Sequence, residues 1–130
     1  MAGYATTPQA RKLGLKAGLR VRVDRAPDGW RLDDPPDVRF VTDGPADVIV
    51  AFVRSAAELA PTAWGEDIRP DGAVWIAWPR KAAGHVSDVT ENGIREAVLP
   101  LGLVDVKVAA IDDDWSGLKV VWRVANRSGV

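Results

Sequence analysis

Two segments of the chain are apolar without a break, Val48 to Val53 and Ala73 to Trp78. Continuous runs of that length and composition mark strands covered on both faces. They predict two parallel neighbours at the centre of a sheet. Upstream, Leu19, Val21 and Val23 alternate with Arg20, Arg22 and Asp24, the pattern of a strand with one buried and one wetter face. Val38 to Val41 reads as a further short strand. The loop before it, Ala26 to Asp37, holds three prolines and one glycine. Near the end, Leu103 to Ile111 and Gly117 to Val124 read as an antiparallel hairpin around the turn Asp112-Asp113-Asp114.

Helix signals fall between these strands. Thr7-Pro8 predicts an N-cap followed by the first residue of a short helix through Leu13, closed by Gly14. Ser55 and Glu58 have capping-box spacing, and Pro61 should kink or restart the helix they begin. Ile94, Ala97, Val98 and Leu101 share one face of a helix predicted from about Asp88 to Leu99, ended by Pro100 and Gly102. Strands alternating with helices predict a three-layer α/β/α Rossmann-like domain over residues 7–125. Its sheet is mostly parallel, with a C-terminal antiparallel hairpin, similar to a reduced methyltransferase fold. Residues 1–6 and 126–130 are expected to fray. Trp75 and Trp78 are assigned to one face of the sheet as core.

Composition narrows the function classes. The chain has 130 residues, six tryptophans, one histidine and no cysteine, which excludes disulfides, thiol catalysis and cysteine-based metal sites. With 17 basic and 18 acidic residues interspersed, no basic field is available to displace counterions from nucleic acid. No apolar run approaches membrane-spanning length and no signal-peptide pattern opens the chain, so a cytoplasmic location is expected.

Several segments resemble a small bacterial family classed as domain of unknown function 3052. They are Pro8 to Gly18, Asp43-Gly44-Pro45-Ala46-Asp47, Trp78-Pro79-Arg80-Lys81-Ala82 and Asp88 with Thr90-Glu91. The likeness continues through Val104-Asp105-Val106-Lys107-Val108, Asp112 and Trp115-Ser116-Gly117-Leu118-Lys119. Arg80 stands where lysine is more usual, keeping the charge but changing the donor geometry. The resemblance implies a Rossmann-like fold and a bacterial cytoplasmic setting, and supplies no reaction.

The strongest candidate for chemistry is the Arg80-Lys81 loop, because open α/β sheets place ligands at the carboxyl ends of their strands. The loop is predicted to run into a helix whose first turn offers unpaired N–H groups. Ser87 and Thr90 hydroxyls would complete an anion or partner site; helix capping by Ser87 or Asp88 is the alternative. S-adenosylmethionine binding needs a glycine-rich turn after the first strand, and Asp24-Arg25-Ala26-Pro27-Asp28-Gly29 has one glycine with Pro27 in its path. No cofactor and no metal are therefore expected, the three consecutive aspartates reading as a solvated turn. His85 lacks a nucleophile signature. Trp115 and Lys119 at the hairpin are candidates for an interface, with core covering favoured for Trp115. The sequence thus points to a non-enzymatic binding or regulatory domain. A methyltransferase-like enzyme and a subunit of an oligomer are the alternatives.

Overall fold

The computed structural model describes residues 8–126. Three helices are present there, α1 (Gln9–Lys12), α2 (Pro61–Asp67) and α3 (Glu91–Val98). The strands are β1 (Arg20–Asp24), β2 (Arg39–Val41), β3 (Ala46–Phe52), β4 (Ile68–Pro79), β5 (Leu103–Ala110) and β6 (Trp115–Trp122). They form one sheet in the order β2-β1-β3-β4-β6-β5. The pairs β1–β2, β1–β3 and β3–β4 are parallel, while β6 is antiparallel to both β4 and β5. The two apolar runs are therefore adjacent and run the same way, as their composition predicts. The C-terminal hairpin forms, but β6 turns back between β4 and β5, which leaves β5 at the edge.

The sheet is covered on both faces. One face packs Ile49, Ala51, Val74, Ile76, Leu118 and Val120 against Trp64 of α2 and Ile94 and Val98 of α3. The other packs Val21, Val48, Val50, Phe52 and Trp75 against Leu13 and Leu15 and against Trp30 and Leu32 of the long loop. The second cover is thus mostly irregular chain, and no helix joins β1 to β2. Trp75 is fully buried on the α1 side while Trp78 packs on the α3 side. This corrects the single-face assignment, since a spacing of three in a strand puts side chains on opposite faces.

Element boundaries differ where capping differs. Pro8 is the residue before α1 rather than its first residue, and Thr7 and the expected fraying of 1–6 and 127–130 lie outside the described residues. Asn126 closes a 3₁₀ turn and donates to the Gly102 carbonyl at 3.1 Å. Glu58 reaches back to the Arg54 backbone N–H, and only a 3₁₀ turn over Ala56–Glu58 forms before Pro61 restarts the chain as α2. Thr90, not Asp88, caps α3.

Arg22, expected on a wetter face, is buried. Its guanidinium meets Asp24 at 3.0 Å and Asp67 at 2.8 Å, and donates to the Gly44 carbonyl at 2.8 Å. It thereby ties β1 to the connection that carries the chain from β2 to β3 and to the end of α2. Both carboxylates and the burial of the site act on the guanidinium. Desolvation is the largest influence and opposes the charge, and the two acids outweigh it, raising the pKa.

β4 begins before its apolar run. Ala46 pairs with Ile68 and Val48 with Ala73, so β4 advances five residues while β3 advances two. The extra chain folds against β3 at Gly72, where an added Cβ would sit 2.5 Å from the Asp47 carbonyl oxygen. Because that neighbour is backbone, it has little freedom to move aside. Gly72→Ala is expected to cost about 1–3 kcal/mol, read as a lower urea midpoint with unchanged slope; an unchanged midpoint would show that the bulge yields freely.

Candidate functional site

The parallel strands β1 to β4 end at one edge of the sheet. From β1 the chain goes to β2 on one side, while β3 lies on the other. The crevice between the carboxyl ends of β1 and β3 is therefore the topological switch point, where such folds place ligands. Arg25 to Pro27 leave β1 there, Val53 and Arg54 leave β3, and Arg80 leaves β4. Because β6 runs the opposite way, its first residue, Trp115, arrives at the same end opposite Pro79.

An aromatic group forms the floor. Phe52 is fully buried and meets Trp30 edge-on at 4.8 Å and Trp115 at 4.9 Å between ring centres. The Arg54 guanidinium lies over the Trp115 ring, 5.5 Å from its centre, and donates to the Arg25 carbonyl at 3.2 Å. A cation held on an aromatic face is stabilised by the ring quadrupole and loses freedom of motion. Arg25 itself has φ of 59°, left-handed backbone that is uncommon for a residue with a Cβ. Its guanidinium pairs with Glu58 at 3.3 Å. His85 Nε2 meets Asp114 Oδ1 at 3.0 Å. Pro27, Arg54, Pro79, His85, Asp114 and Trp115 together line an open cleft of about 370 Å³.

The structure places the predicted residues around this edge in different roles. Arg80 is half-buried, donating its backbone N–H to the Asp114 carbonyl at 2.9 Å and Nη1 to the Asp113 carbonyl at 3.2 Å. It is pinned to the β5–β6 turn. Lys81 is exposed on a 3₁₀ turn and makes no ion pair with a described residue. Ser87 Oγ donates to the Arg54 carbonyl at 2.9 Å and accepts from the Val89 N–H at 3.1 Å. Asp88 accepts from the Ala56 N–H at 2.8 Å, and Thr90 Oγ1 accepts from the Gly93 N–H at 3.0 Å. These three side chains fasten one loop to another and cap α3. No hydrogen bond or ion pair among the described residues joins Arg80 or Lys81 to Ser87 or Thr90, and α3 begins too far along the chain to present its first turn directly after Arg80.

The hairpin residues also separate. Trp115 opens β6 and covers the Phe52 end of the core. Lys119 lies four residues along the same strand, roughly 13 Å away at the usual rise. It lines a shallow groove with Leu13, Val106 and Val121. Asp112 closes the turn, accepting from the Asp114 and Trp115 N–H groups and from Trp30 Nε1 at 2.9 Å. Among the described residues no cluster of acids and histidine is arranged to hold a metal ion. Arg54 is the residue missed by sequence reasoning. It follows an unbroken apolar strand just as Arg80 does, so the rule that singled out Arg80 applied to it equally.

The sequence matches no protein-family model and no curated relative. Its structure is similar to the fibrillarin pre-rRNA processing protein of Methanococcus jannaschii, with a TM-score of 0.54 and 15% identity, covering 88% of this chain and 73% of that one. It is similar also to a ribosomal protein L11 methylase from Lactobacillus delbrueckii subsp. bulgaricus, with a TM-score of 0.53 and 15% identity, covering 88% and 75%. The fold is that of the Rossmann-like methyltransferases. In that fold a nucleoside cofactor needs close backbone approach after β1. Here Arg25 and Pro27 stand in the turn, and the Arg54 guanidinium is bonded to the Arg25 carbonyl. These residues do not fit S-adenosylmethionine.

The Glu58 carboxyl is held below its ordinary pKa, chiefly by the hydrogen bond from the Arg54 backbone N–H, with desolvation opposing and a bond from Ser55 and the charges of Arg25 and Arg54 assisting. A lowered acid contributes its full stability above about pH 4.3, the ordinary glutamate value, and loses it as the pH falls through the lower folded value. Glu58→Gln is expected to melt below the native protein at neutral pH, with the gap closing as the pH falls below the ordinary glutamate range. Circular dichroism melts across that range read this directly, and a gap independent of pH would remove Glu58 from the account.

Proposed function

We propose that this protein is a non-enzymatic binding domain on a methyltransferase-like fold, taking an anionic ligand, or an anionic group of a partner protein, at the carboxyl end of its sheet. The observation that carries this reading is the fixed Arg54 guanidinium, stacked on Trp115 across the crevice between β1 and β3. Arg80 is anchored through Nη1 alone, which leaves the rest of its donor fork available. Lys81 adds a mobile charge beside it. Ser87 serves this site by holding the Arg54 carbonyl, and Thr90 caps α3 behind it. The resemblance to the domain of unknown function 3052 is compatible with this reading and adds no reaction to it. A second reading, an enzyme of methyltransferase type, is favoured by the fold alone, since one structural neighbour is a methylase.

Arg54 and Lys81 are exposed, so Arg54→Ala with Lys81→Ala should preserve folding. Inorganic sulfate is expected to raise the melting temperature of the native protein, and the double variant to need roughly tenfold more for the same rise, the loss of one charge-assisted contact. S-adenosylmethionine and S-adenosylhomocysteine are expected to bind neither form by calorimetry. Saturable binding of either would establish the second reading in place of the first.

A further inference from the structure

The opposite, amino end of the sheet holds charges that the fold leaves unmatched. Arg20 and Arg39 are in-register partners on the parallel strands β1 and β2. Such partners point to the same face from strands about 4.8 Å apart, and like charges placed side by side repel. Among the described residues neither guanidinium of the pair meets a carboxylate. The Arg20 guanidinium makes one long bond, 3.4 Å to the Pro45 carbonyl, and Arg39 makes no ion pair with a described residue. The nearest acid, Asp47, is already engaged: Oδ2 accepts from the Arg20 backbone N–H at 2.8 Å and Oδ1 meets Arg69 Nε at 3.1 Å. Asp37 lies exposed on the rim and forms no ion pair with either arginine. Two residues further along β1, Arg22 is matched by two carboxylates and a carbonyl. The same strand thus neutralises one arginine completely and leaves its neighbour facing another cation.

Arg20, Arg39 and Arg69 converge with Asp37 and Asp47 on one open groove of about 510 Å³. We propose that this groove binds a small oxyanion carrying at least two negative groups, a diphosphate or a polycarboxylate. One anionic group sits between Arg20 and Arg39, where it replaces repulsion by two charge-assisted contacts. A second reaches Arg69, which Asp47 holds in place. Guanidinium forks match both phosphate and carboxylate oxygens. This site is separate from the carboxyl-end cleft and does not depend on it.

The test uses thermal melts and calorimetry with pyrophosphate and citrate, against sodium chloride at matched ionic strength. Pyrophosphate, citrate or both are expected to raise the melting temperature where chloride does not. A response to pyrophosphate alone assigns a phosphate ligand, a response to citrate alone a polycarboxylate, and equal responses a site that reads charge without distinguishing the two. Arg39→Gln, on an exposed edge strand, is expected to melt no lower than the native protein without ligand, because it removes the repulsion. It should weaken the better ligand at least tenfold. In calorimetry Arg54→Ala with Lys81→Ala, which removes the carboxyl-end cations, should retain the binding event that Arg39→Gln weakens, and this locates that event at the amino end. The proposal is overturned if neither oxyanion exceeds chloride at millimolar concentration, or if Arg39→Gln binds as the native protein does.

Discussion

β3 and β4 lie side by side, point the same way and show water almost nothing between Val48 and Ala77. Two parallel neighbours cannot be joined by a tight turn, so the chain must travel the length of the sheet between them. α2 makes that crossing with Trp64 buried, and β4 opens on the buried Ile68. The same constraint sends every parallel strand out at one edge and brings every one in at the other. The carboxyl-end cleft and the amino-end groove lie at these two edges. Because backbone groups in the buried pair have no access to water, the pairing holds its register firmly.

Charge is distributed by the fold in a way that composition conceals. The chain is nearly neutral overall, yet its arginines meet three different fates. Arg22 is enclosed by Asp24, Asp67 and the Gly44 carbonyl and acts as a clasp between β1, α2 and the turn before β3. Arg95 on α3 holds Asp105 of β5 at 2.7 Å and Glu91 one turn back. These bonds raise the Arg95 pKa, with Asp105 the larger influence, and the same bond lowers the pKa of Asp105. Arg54 is stacked on an aromatic ring, and Arg20 and Arg39 are left against each other. Removing a partner from the enclosed arginine would strand buried charge, whereas the open pair loses nothing internal. The matched arginines therefore contribute to stability, while Arg20 and Arg39 close no ion pair among the described residues.

At the carboxyl edge, short polar side chains, among them the Ser87 hydroxyl expected to meet a ligand, are used as fasteners. Ser87 holds the Arg54 carbonyl, Asp88 the Ala56 N–H, and Asp112 closes the hairpin turn. Short polar side chains favour such local bonds to backbone because the partner is already close. Long cationic side chains bridge greater distances and stay solvated, which is why Arg54 and Lys81 remain at the surface. The Ser55–Glu58 pair shows the same economy of reach: the glutamate bonds the Arg54 N–H as well as that of Ser55, and the turn it closes is too short to become a helix.

Hydrophobic periodicity by itself determined the strands, the central parallel pair, the α/β class and the C-terminal hairpin, because burial on one or two faces writes directly into residue order. It also placed Arg80 directly after the end of β4. Only the tertiary structure decided that β6 enters between β4 and β5, that a loop rather than a helix covers the Trp30 side, and that Arg22 is buried. The three acceptors of Arg22 come from β1, the β2–β3 connection and α2, and its burial is decided only when all three meet. Likewise the placement of Arg20 beside Arg39, and of Arg54 over Trp115, follows from register between distant segments. Local order specifies which residues prefer the interior; it carries no record of which charges will face one another once the strands are aligned.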